Sequence, residues 1–233
     1  PLQLQGPKAP LVARDLFGDW AVEMKYYRLR QTELDGIPLV VSRTGWSGEL
    51  GYELYIPSEQ AVHVYHVLAE AGARFGLRHA GLRALSSLRM EKGYRDYGND
   101  IDNMDDPYST GLGFAVRLDK EGDFIGKQVC IRKKAEAPYA RRLVQVLVGD
   151  PQPLLYHAEV VYRNDEAVGY VRAASYGFTL GGAVGLAMIE AGKPIDKAYL
   201  EGGEWEVDIA GTRYPAEASI RPMYDPKMER IKA

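Results

Sequence analysis

The hydrophobic and polar positions of this chain follow two patterns, one before and one after about residue 135. In the first part, stretches with period-two alternation are mixed with stretches that repeat every three to four residues. The Asp35-Gly36 pair between two alternating stretches predicts a tight hairpin turn. Together these patterns predict strands over residues 2–5, 26–34, 37–42 and 52–56, and helices over residues 9–17, 59–75 and 81–92.

The last predicted helix of this part carries an apolar stripe of Leu82, Leu85 and Leu88. We expect this stripe to be buried. Arg83, Arg89 and Lys92 lie on the other faces of the helix, and for Arg83 a solvated face is expected. A polar, glycine-punctuated segment follows, and a further strand is predicted over residues 111–118.

After a predicted linker at residues 135–139, which contains Pro138, only short alternating stretches separated by turns remain. Their regular spacing predicts a small antiparallel β-barrel or sandwich. The chain is therefore predicted to be an α+β protein with two domains, residues 1–135 and residues 136–233. The strands predicted in the second domain cover residues 141–148, 160–162, 167–172, 183–189, 199–200, 205–209 and 213–218.

Composition excludes several classes of function. The 233 residues are 46% hydrophobic, which is typical of a globular protein with a buried core. The net charge of −3 argues against a nucleic-acid surface, and we find no apolar run long enough to cross a membrane. The single cysteine, Cys130, excludes an internal disulfide framework and favours the cytoplasm or the mitochondrial matrix.

No metal site is predicted, although carboxylates are dense after the third helix. Their spacing does not match an EF-hand loop, and one cysteine with scattered histidines gives little support to zinc. The carboxylates in question are Asp96, Asp100, Asp102, Asp105 and Asp106.

Residues 42–56, SRTGWSGELGYELYI, combine three glycines, an aromatic ring and two carboxylates with a period-two strand. Glu53 lies inside that strand between aromatic and apolar neighbours, where an unpaired carboxylate is costly. Two partners are open at this point. One is a structural ion pair with a cation such as Arg43, and the other is a ligand that presents adjacent N–H donors.

This stretch resembles the signature Arg-Thr-Gly-aromatic-(Ser/Thr)-Gly-Glu-x-Gly-aromatic-Glu of the glycine cleavage T-protein family of tetrahydrofolate enzymes. That family includes the folate domains of dimethylglycine and sarcosine dehydrogenases and the dimethylsulfoniopropionate demethylases. Similar blocks recur at LQGPK (residues 4–8), at EKGYR (residues 91–95), at DFIGK (residues 123–127) and in the tail PMYDP (residues 222–226).

The resemblance implies a partial α/β folate-binding domain followed by a small C-terminal antiparallel barrel. Because the LQGPK block normally follows a substantial N-terminal region, we expect the chain to be one piece of a longer protein. A flavin, where one is used, is expected in that other sequence or in a partner chain, since no dinucleotide-binding glycine fingerprint is present.

The resemblance also implies a tetrahydrofolate cofactor and its contacts. The second glutamate of the signature, Glu53, is expected to accept two N–H donors of the aminopyrimidine edge, and Trp46 is expected to line the pterin cleft. Arg43, Tyr94 and Tyr176 complete the candidate cofactor-binding residues, the last from a serine-glycine loop at residues 175–177. No catalytic residue is assigned, because the family's acid/base aspartate belongs to the N-terminal region.

One position departs from the family's sequence pattern, and several alternative functions remain open. Leu85 stands where the T-protein carries an arginine, and Trp46 matches the demethylase branch. The function implied first is transfer of an aminomethyl or methyl unit from a small methylated amine to tetrahydrofolate. The alternatives are demethylation of a sulfonium or methoxy substrate, a folate-binding module without catalysis, and a plain structural domain.

Overall fold

The computed structural model describes residues 1–233 and divides into two compact units. The first unit comprises residues 1–89 and 225–233, and the second comprises residues 90–224. The strands are β1 (Leu2–Gln5), β2 (Leu29–Leu34), β3 (Ile37–Ser42), β4 (Gly51–Tyr55), β5 (Arg141–Val148), β6 (Val160–Arg163), β7 (Glu166–Gly177), β8 (Gly182–Glu190), β9 (Trp205–Ile209) and β10 (Thr212–Ser219). The helices are α1 (Ala9–Phe17), α2 (Asp19–Glu23), α3 (Ala61–Ala73), α4 (Leu82–Glu91), α5 (Lys127–Ala135), α6 (Lys197–Glu201) and α7 (Glu229–Lys232).

The first unit contains a four-stranded antiparallel sheet in the order β1-β4-β3-β2. The β2–β3 hairpin turns at Asp35 and Gly36, both with positive φ, as the sequence predicts for this pair. Alternate residues of the central strands point to one face of the sheet, and their apolar side chains form a core with α1 and α3. That core includes Leu4, Val12, Leu39, Val41, Tyr52, Leu54, Val64 and Leu68.

The second unit contains a closed antiparallel barrel in the order β10-β5-β8-β7-β6-β9. An uninterrupted ladder joins β5 to β8, and a ladder whose register shifts between Val171 and Ala173 joins β8 to β7. Asn164 and Asp165 take the positive φ values of a tight turn between β6 and β7. The predicted α+β class with a C-terminal barrel is confirmed. The barrel interior is filled by apolar side chains that include Val144, Val146, Val161, Val171, Ala187, Ile189, Trp205 and Val207.

Two predicted elements are wrong, and one observed helix was missed. Residues 111–118 form a short 3-10 turn at Gly113–Ala115 instead of a strand, because their alternation has no neighbouring strand to pair with. Residues 199–200 lie in α6, whose first turn is capped by the Asp196 carboxylate accepting from the Tyr199 N–H at 2.9 Å. Helix α5 was not predicted, since its mostly exposed residues show no apolar periodicity.

The end of α4 also differs from the prediction. Leu82 is 80% exposed, whereas Arg89 is 7% and Lys92 1% exposed. The solvated face expected for Arg83 is confirmed, whereas the burial expected for Leu82 is wrong. The Lys92 ammonium lies 5.6 Å from the centroid of the Tyr224 ring, an arrangement that offsets part of the cost of burying the charge.

A buried amide on the barrel satisfies the backbone at this helix end. Gln145 of β5 is 2% exposed, and its Nε2 donates to the carbonyls of Met90 at 2.7 Å and Glu91 at 3.1 Å. Its Oε1 accepts from the N–H of Met223 at 2.6 Å. One side chain thus joins the last turn of α4 to the segment that follows the barrel.

We expect Gln145→Leu to lower the free energy of unfolding by about 2–4 kcal/mol, since two carbonyls and one N–H lose a buried partner. Urea unfolding of the wild type and the variant measures this change. Gln152→Leu, at an exposed loop position, is the control, and equal effects of the two substitutions would contradict the role of Gln145.

Candidate functional site

The sheet of the first unit has a polar face, and Glu53 lies at its centre. In the ladders around β4, Glu53 is paired with Ser42 of β3 on one side and with Gln3 of β1 on the other. Paired residues of neighbouring strands project from the same face of a sheet. Tyr52 and Leu54, which flank Glu53, point to the opposite face and are buried in the core.

Uncharged side chains surround the half-buried Glu53 carboxylate. Its Oε2 accepts hydrogen bonds from the hydroxyls of Thr44 at 3.0 Å and Tyr55 at 2.9 Å. Its Oε1 accepts one longer bond, 3.3 Å, from the Gln3 amide. The Ser42 hydroxyl lies 3.1 Å from that of Thr44 and extends this network. The carboxylate is therefore oriented by neutral donors, and its negative charge is not neutralised by a cation.

Arg43 lies on the other side of the sheet from Glu53. It is 3% exposed, and its guanidinium donates to the main-chain oxygens of Gly51 at 3.3 Å, Ile231 at 3.0 Å and Ala233, the last residue of the sequence, at 2.8 Å. Burial lowers the pKa of Arg43 from its ordinary value. A structural ion pair between Arg43 and Glu53 is thus wrong, and the predicted contact of Arg43 with a cofactor stays a prediction.

Two glycines of the signature loop lie close to β1, and the packing is tightest at Gly51, which faces backbone atoms. A Cβ at Gly51 would lie 2.4 Å from the Leu4 carbonyl oxygen, and a Cβ at Gly45 would lie 2.7 Å from the Gln5 amide. The Gln5 amide also accepts a hydrogen bond from the Ser47 hydroxyl. The loop is therefore fixed against the edge strand, with Trp46 half-buried within it.

Two predicted site residues, Tyr94 and Tyr176, belong to the second unit, and both are half-buried. Tyr176 is near the end of β7, and its ring meets that of Phe178 edge-on, with centroids 5.0 Å apart. Residues 175–177 are thus strand residues and not a loop, because they pair with β8 up to Gly177.

Glu91, which the sequence reading did not single out, holds the turn beyond Tyr176. It is 1% exposed, and its Oε1 accepts from the backbone N–H groups of Thr179 at 2.6 Å and Leu180 at 2.9 Å. Gly177 leaves room for this contact, since a Cβ there would lie 3.1 Å from the same oxygen. A carboxylate directly before Lys92-Gly93, at the end of the predicted helix, was the available signal.

A groove of about 880 Å³ runs along the free edge of β1 within the first unit. Leu85, at the position where the T-protein signature has arginine, lines this groove together with other apolar side chains of α4. The groove is mostly apolar, with polar groups of Gln3, Gln5 and Ser47 where it approaches the signature loop.

The dense carboxylates of the second unit take part in hydrogen bonds within the protein. Asp105 accepts from Arg141 at 2.7 Å and from Arg172 at 2.9 Å, and Arg172 also donates to Asp102 at 3.0 Å. Asp106 accepts from the N–H groups of the two residues that follow Pro107. No group of three or more histidine, cysteine or acidic side chains is arranged to hold a metal ion.

Comparison with known families decides where the chain belongs. The model of the GCVT N-terminal domain matches residues 1–120, and the model of the glycine cleavage T-protein C-terminal barrel domain matches residues 141–225. The chain belongs to the glycine cleavage T-protein family. The predicted resemblance is confirmed, and the barrel of this T-protein family member covers the second matched region.

Curated relatives of this family member include two kinds of enzyme. It is 44% identical over 98% of its length to 4-methylaminobutanoate oxidase (formaldehyde-forming) of Paenarthrobacter nicotinovorans, and 32% identical over 99% to mitochondrial sarcosine dehydrogenase of Mus musculus. It is 37% identical over 96% to a probable aminomethyltransferase of Pyrococcus abyssi. The chain spans 27%, 25% and 60% of these proteins, respectively.

A solved structure shares the fold. The crystal structure of glycine cleavage system aminomethyltransferase T from Bartonella henselae superposes with a TM-score of 0.78 at 23% identity, over 93% of this chain and 57% of that one. In this T-protein family member, no helix has the length and apolarity needed to span a bilayer.

We expect Glu91→Ala to lower the protection of the Thr179 and Leu180 amides from hydrogen exchange by about tenfold or more, because both lose their acceptor. Exchange measured by NMR or mass spectrometry reports this change. Glu121→Ala, at an exposed loop position, should leave these amides unchanged. Unchanged protection in the Glu91 variant would contradict the assigned contact.

Acid should weaken the contribution that the Asp106 carboxylate makes to the stability of the fold. Burial opposes its ionisation, but hydrogen bonds from Ser109 and Tyr108 and the charge of Lys133 together lower the pKa of this carboxyl below its ordinary value of 3.8. A lowered pKa in the folded state gives stability that is present above pH 3.8 and is lost as the pH falls through the folded value.

Asp106→Ala should therefore cost about 1 kcal/mol at pH 7, and the cost should shrink below about pH 4. Urea unfolding at pH 7, 5, 4 and 3 measures the difference from wild type. Glu121→Ala serves as the control. A cost that stays constant down to the lowest pH would show that the Asp106 charge is not stabilising.

Proposed function

We propose that this chain is the tetrahydrofolate-binding portion of an enzyme that transfers a one-carbon unit from a small methylated amine to tetrahydrofolate. The observation that supports this proposal best is the Glu53 carboxylate, which is held at the centre of a polar sheet face by neutral donors only. Membership of the T-protein family supports the same reaction class.

The unused acceptor capacity of the Glu53 carboxylate suits the aminopyrimidine end of the folate. A carboxylate oxygen can accept two hydrogen bonds, and Oε1 of Glu53 accepts a single long one, from Gln3. Two adjacent N–H groups of the pterin can approach this carboxylate as a charge-assisted bidentate pair. The hydroxyls of Thr44 and Tyr55 keep the carboxylate plane fixed from the Oε2 side.

Trp46 is proposed to give the pterin an apolar surface, since a half-buried indole offers a large flat face and one N–H donor. Tyr94 and Tyr176 remain proposed contacts of the second unit. When bound, tetrahydrofolate supplies the nitrogen that receives the one-carbon unit. The residues of this chain are proposed to bind and orient it, and no residue here is assigned to proton transfer.

An amine as the one-carbon donor is supported by the names of the two longer relatives, which are an oxidase of a methylated amino acid and a sarcosine dehydrogenase. The flavin chemistry expected of such donors is proposed for sequence outside this chain or for a partner. The domain limits at residues 1–135 and 136–233 and the cytoplasmic or mitochondrial location stay proposals.

A second candidate is a folate-binding module without catalysis. Leu85 favours it, because this residue lines an apolar groove where the T-protein signature has an arginine. The two candidates differ in turnover. Only a transferase would convert tetrahydrofolate to its methylene or methyl form when the chain, together with its flanking sequence, is incubated with a methylated amine.

Isothermal titration of this chain with tetrahydrofolate tests the binding site. Glu53→Gln should raise Kd by about tenfold or more, because hydrogen bonds to a charged partner contribute roughly 1.5–3 kcal/mol. Glu33→Gln is a matched control, since Glu33 is an exposed carboxylate on the same face of the same sheet.

Binding by the wild type and by the Glu33 variant, with weak binding by the Glu53 variant, would support the proposal. Equal affinities of all three proteins would place the folate elsewhere. A wild type that does not bind, alone or with its flanking sequence restored, would refute the folate assignment.

A further inference from the structure

We propose that the last residues of this chain, 225–233, act as a positioning element for Glu53, and that they do so through Arg43. The inference rests on the proposed function, because it concerns the carboxylate assigned to the folate. It makes Arg43 a positioning residue that fixes the carboxylate from the opposite face of the sheet.

Local hydrogen bonds organise the segment. The Asp225 carboxylate accepts from the backbone N–H groups of Glu229 at 2.8 Å and Arg230 at 3.1 Å, which starts the short helix α7. Met228 adopts a left-handed conformation with φ of 58°, so the chain turns sharply into the helix. Ile231 is fully buried and anchors α7 in the first unit.

Arg43 depends on this segment for most of its hydrogen bonding. Two of the three main-chain oxygens that accept from its guanidinium belong to Ile231 and Ala233, the last residue of the sequence, and the third belongs to Gly51. Because the guanidinium is almost fully buried, removing two of its three acceptors would leave a charge without adequate partners. The side chain would then have to move toward water.

Arg43 is connected to Glu53 along two paths. Its Nη1 holds the Gly51 carbonyl, which is two residues before Glu53 on the same strand. Its backbone is hydrogen-bonded to Arg28 and Tyr27, and the next residue, Thr44, donates to the Glu53 carboxylate at 3.0 Å. A displaced Arg43 would therefore disturb both the strand that carries Glu53 and the hydroxyl that orients it.

The experiment uses the full chain and five variants, each checked by circular dichroism to be folded at the temperature used. They are Arg43→Gln, Arg43→Lys, Ile231→Ala, the double variant Arg43→Gln/Ile231→Ala and a deletion of residues 229–233. Arg14→Gln, an exposed arginine paired with Asp19, is the control. The two measurements are the Kd for tetrahydrofolate and the NMR chemical shift of the ¹³C-labelled Glu53 carboxyl.

We expect the deletion and Arg43→Gln each to weaken folate binding by about tenfold and to shift the Glu53 carboxyl signal. Ile231→Ala should do the same to a smaller extent, and Arg43→Lys should restore part of the affinity, since one ammonium can reach only part of the acceptor set. The effects of Arg43→Gln and Ile231→Ala should be less than additive, because both act through one contact.

Additive effects, or a folded deletion variant with wild-type Kd and carboxyl signal, would overturn the inference. A wild type that binds no folate would count against the proposed function alone. In that case the Glu53 signal still decides the inference, which fails if deletion leaves the signal unchanged.

Discussion

A positive charge buried beneath a β-sheet has to be satisfied, and in the first unit the Arg43 guanidinium imposes this constraint. Main-chain oxygens of Gly51 in β4 and of Ile231 and Ala233 near the end of the chain converge on it. The charge also faces the Tyr52 ring at 5.5 Å, and the Tyr52 hydroxyl in turn donates to the Ala21 carbonyl. One buried cation thus joins segments that are almost 190 positions apart in the chain.

Period-two alternation predicted the ladders of both units well, since each of those strands has one apolar face and a neighbour to pair with. It failed where one of these conditions was missing. Residues 111–118 alternate but have no partner strand, and α6 begins at a capping aspartate that outweighs the β-propensity of Tyr199. The ends of elements depend on tertiary partners, as the contacts of Gln145 with the end of α4 and of Lys92 with Tyr224 show. A single sequence contains little trace of such partners.

The candidate site was predictable in part. The alternation along residues 41–44 and 51–55 places Glu53 on the face opposite Tyr52 and Leu54, so its polar side follows from the sequence alone. The same rule could have separated Arg43 from Glu53, because Arg43 follows Ser42 and continues the side of Val41. What the pattern could not show is the distant partner of Arg43, since hydrogen bonds to backbone carbonyls leave no residue type to recognise.

The glycines of the signature illustrate how a motif can combine two demands. Gly51 is needed for the close packing of the loop on β1, where a Cβ would collide with the backbone of Leu4 and Gln5. A Cβ at Gly45 would meet only the amide end of the Gln5 side chain. Packing thus accounts for Gly51 without a bound ligand. Packing does not explain why a glutamate should stand between Tyr52 and Leu54 on the polar face, where a neutral side chain could accept the same hydrogen bonds. A fixed, unneutralised carboxylate among hydroxyls and amides is suited to a partner that brings its own N–H donors. The proposed folate contact therefore rests on Glu53 more than on the glycines of the signature.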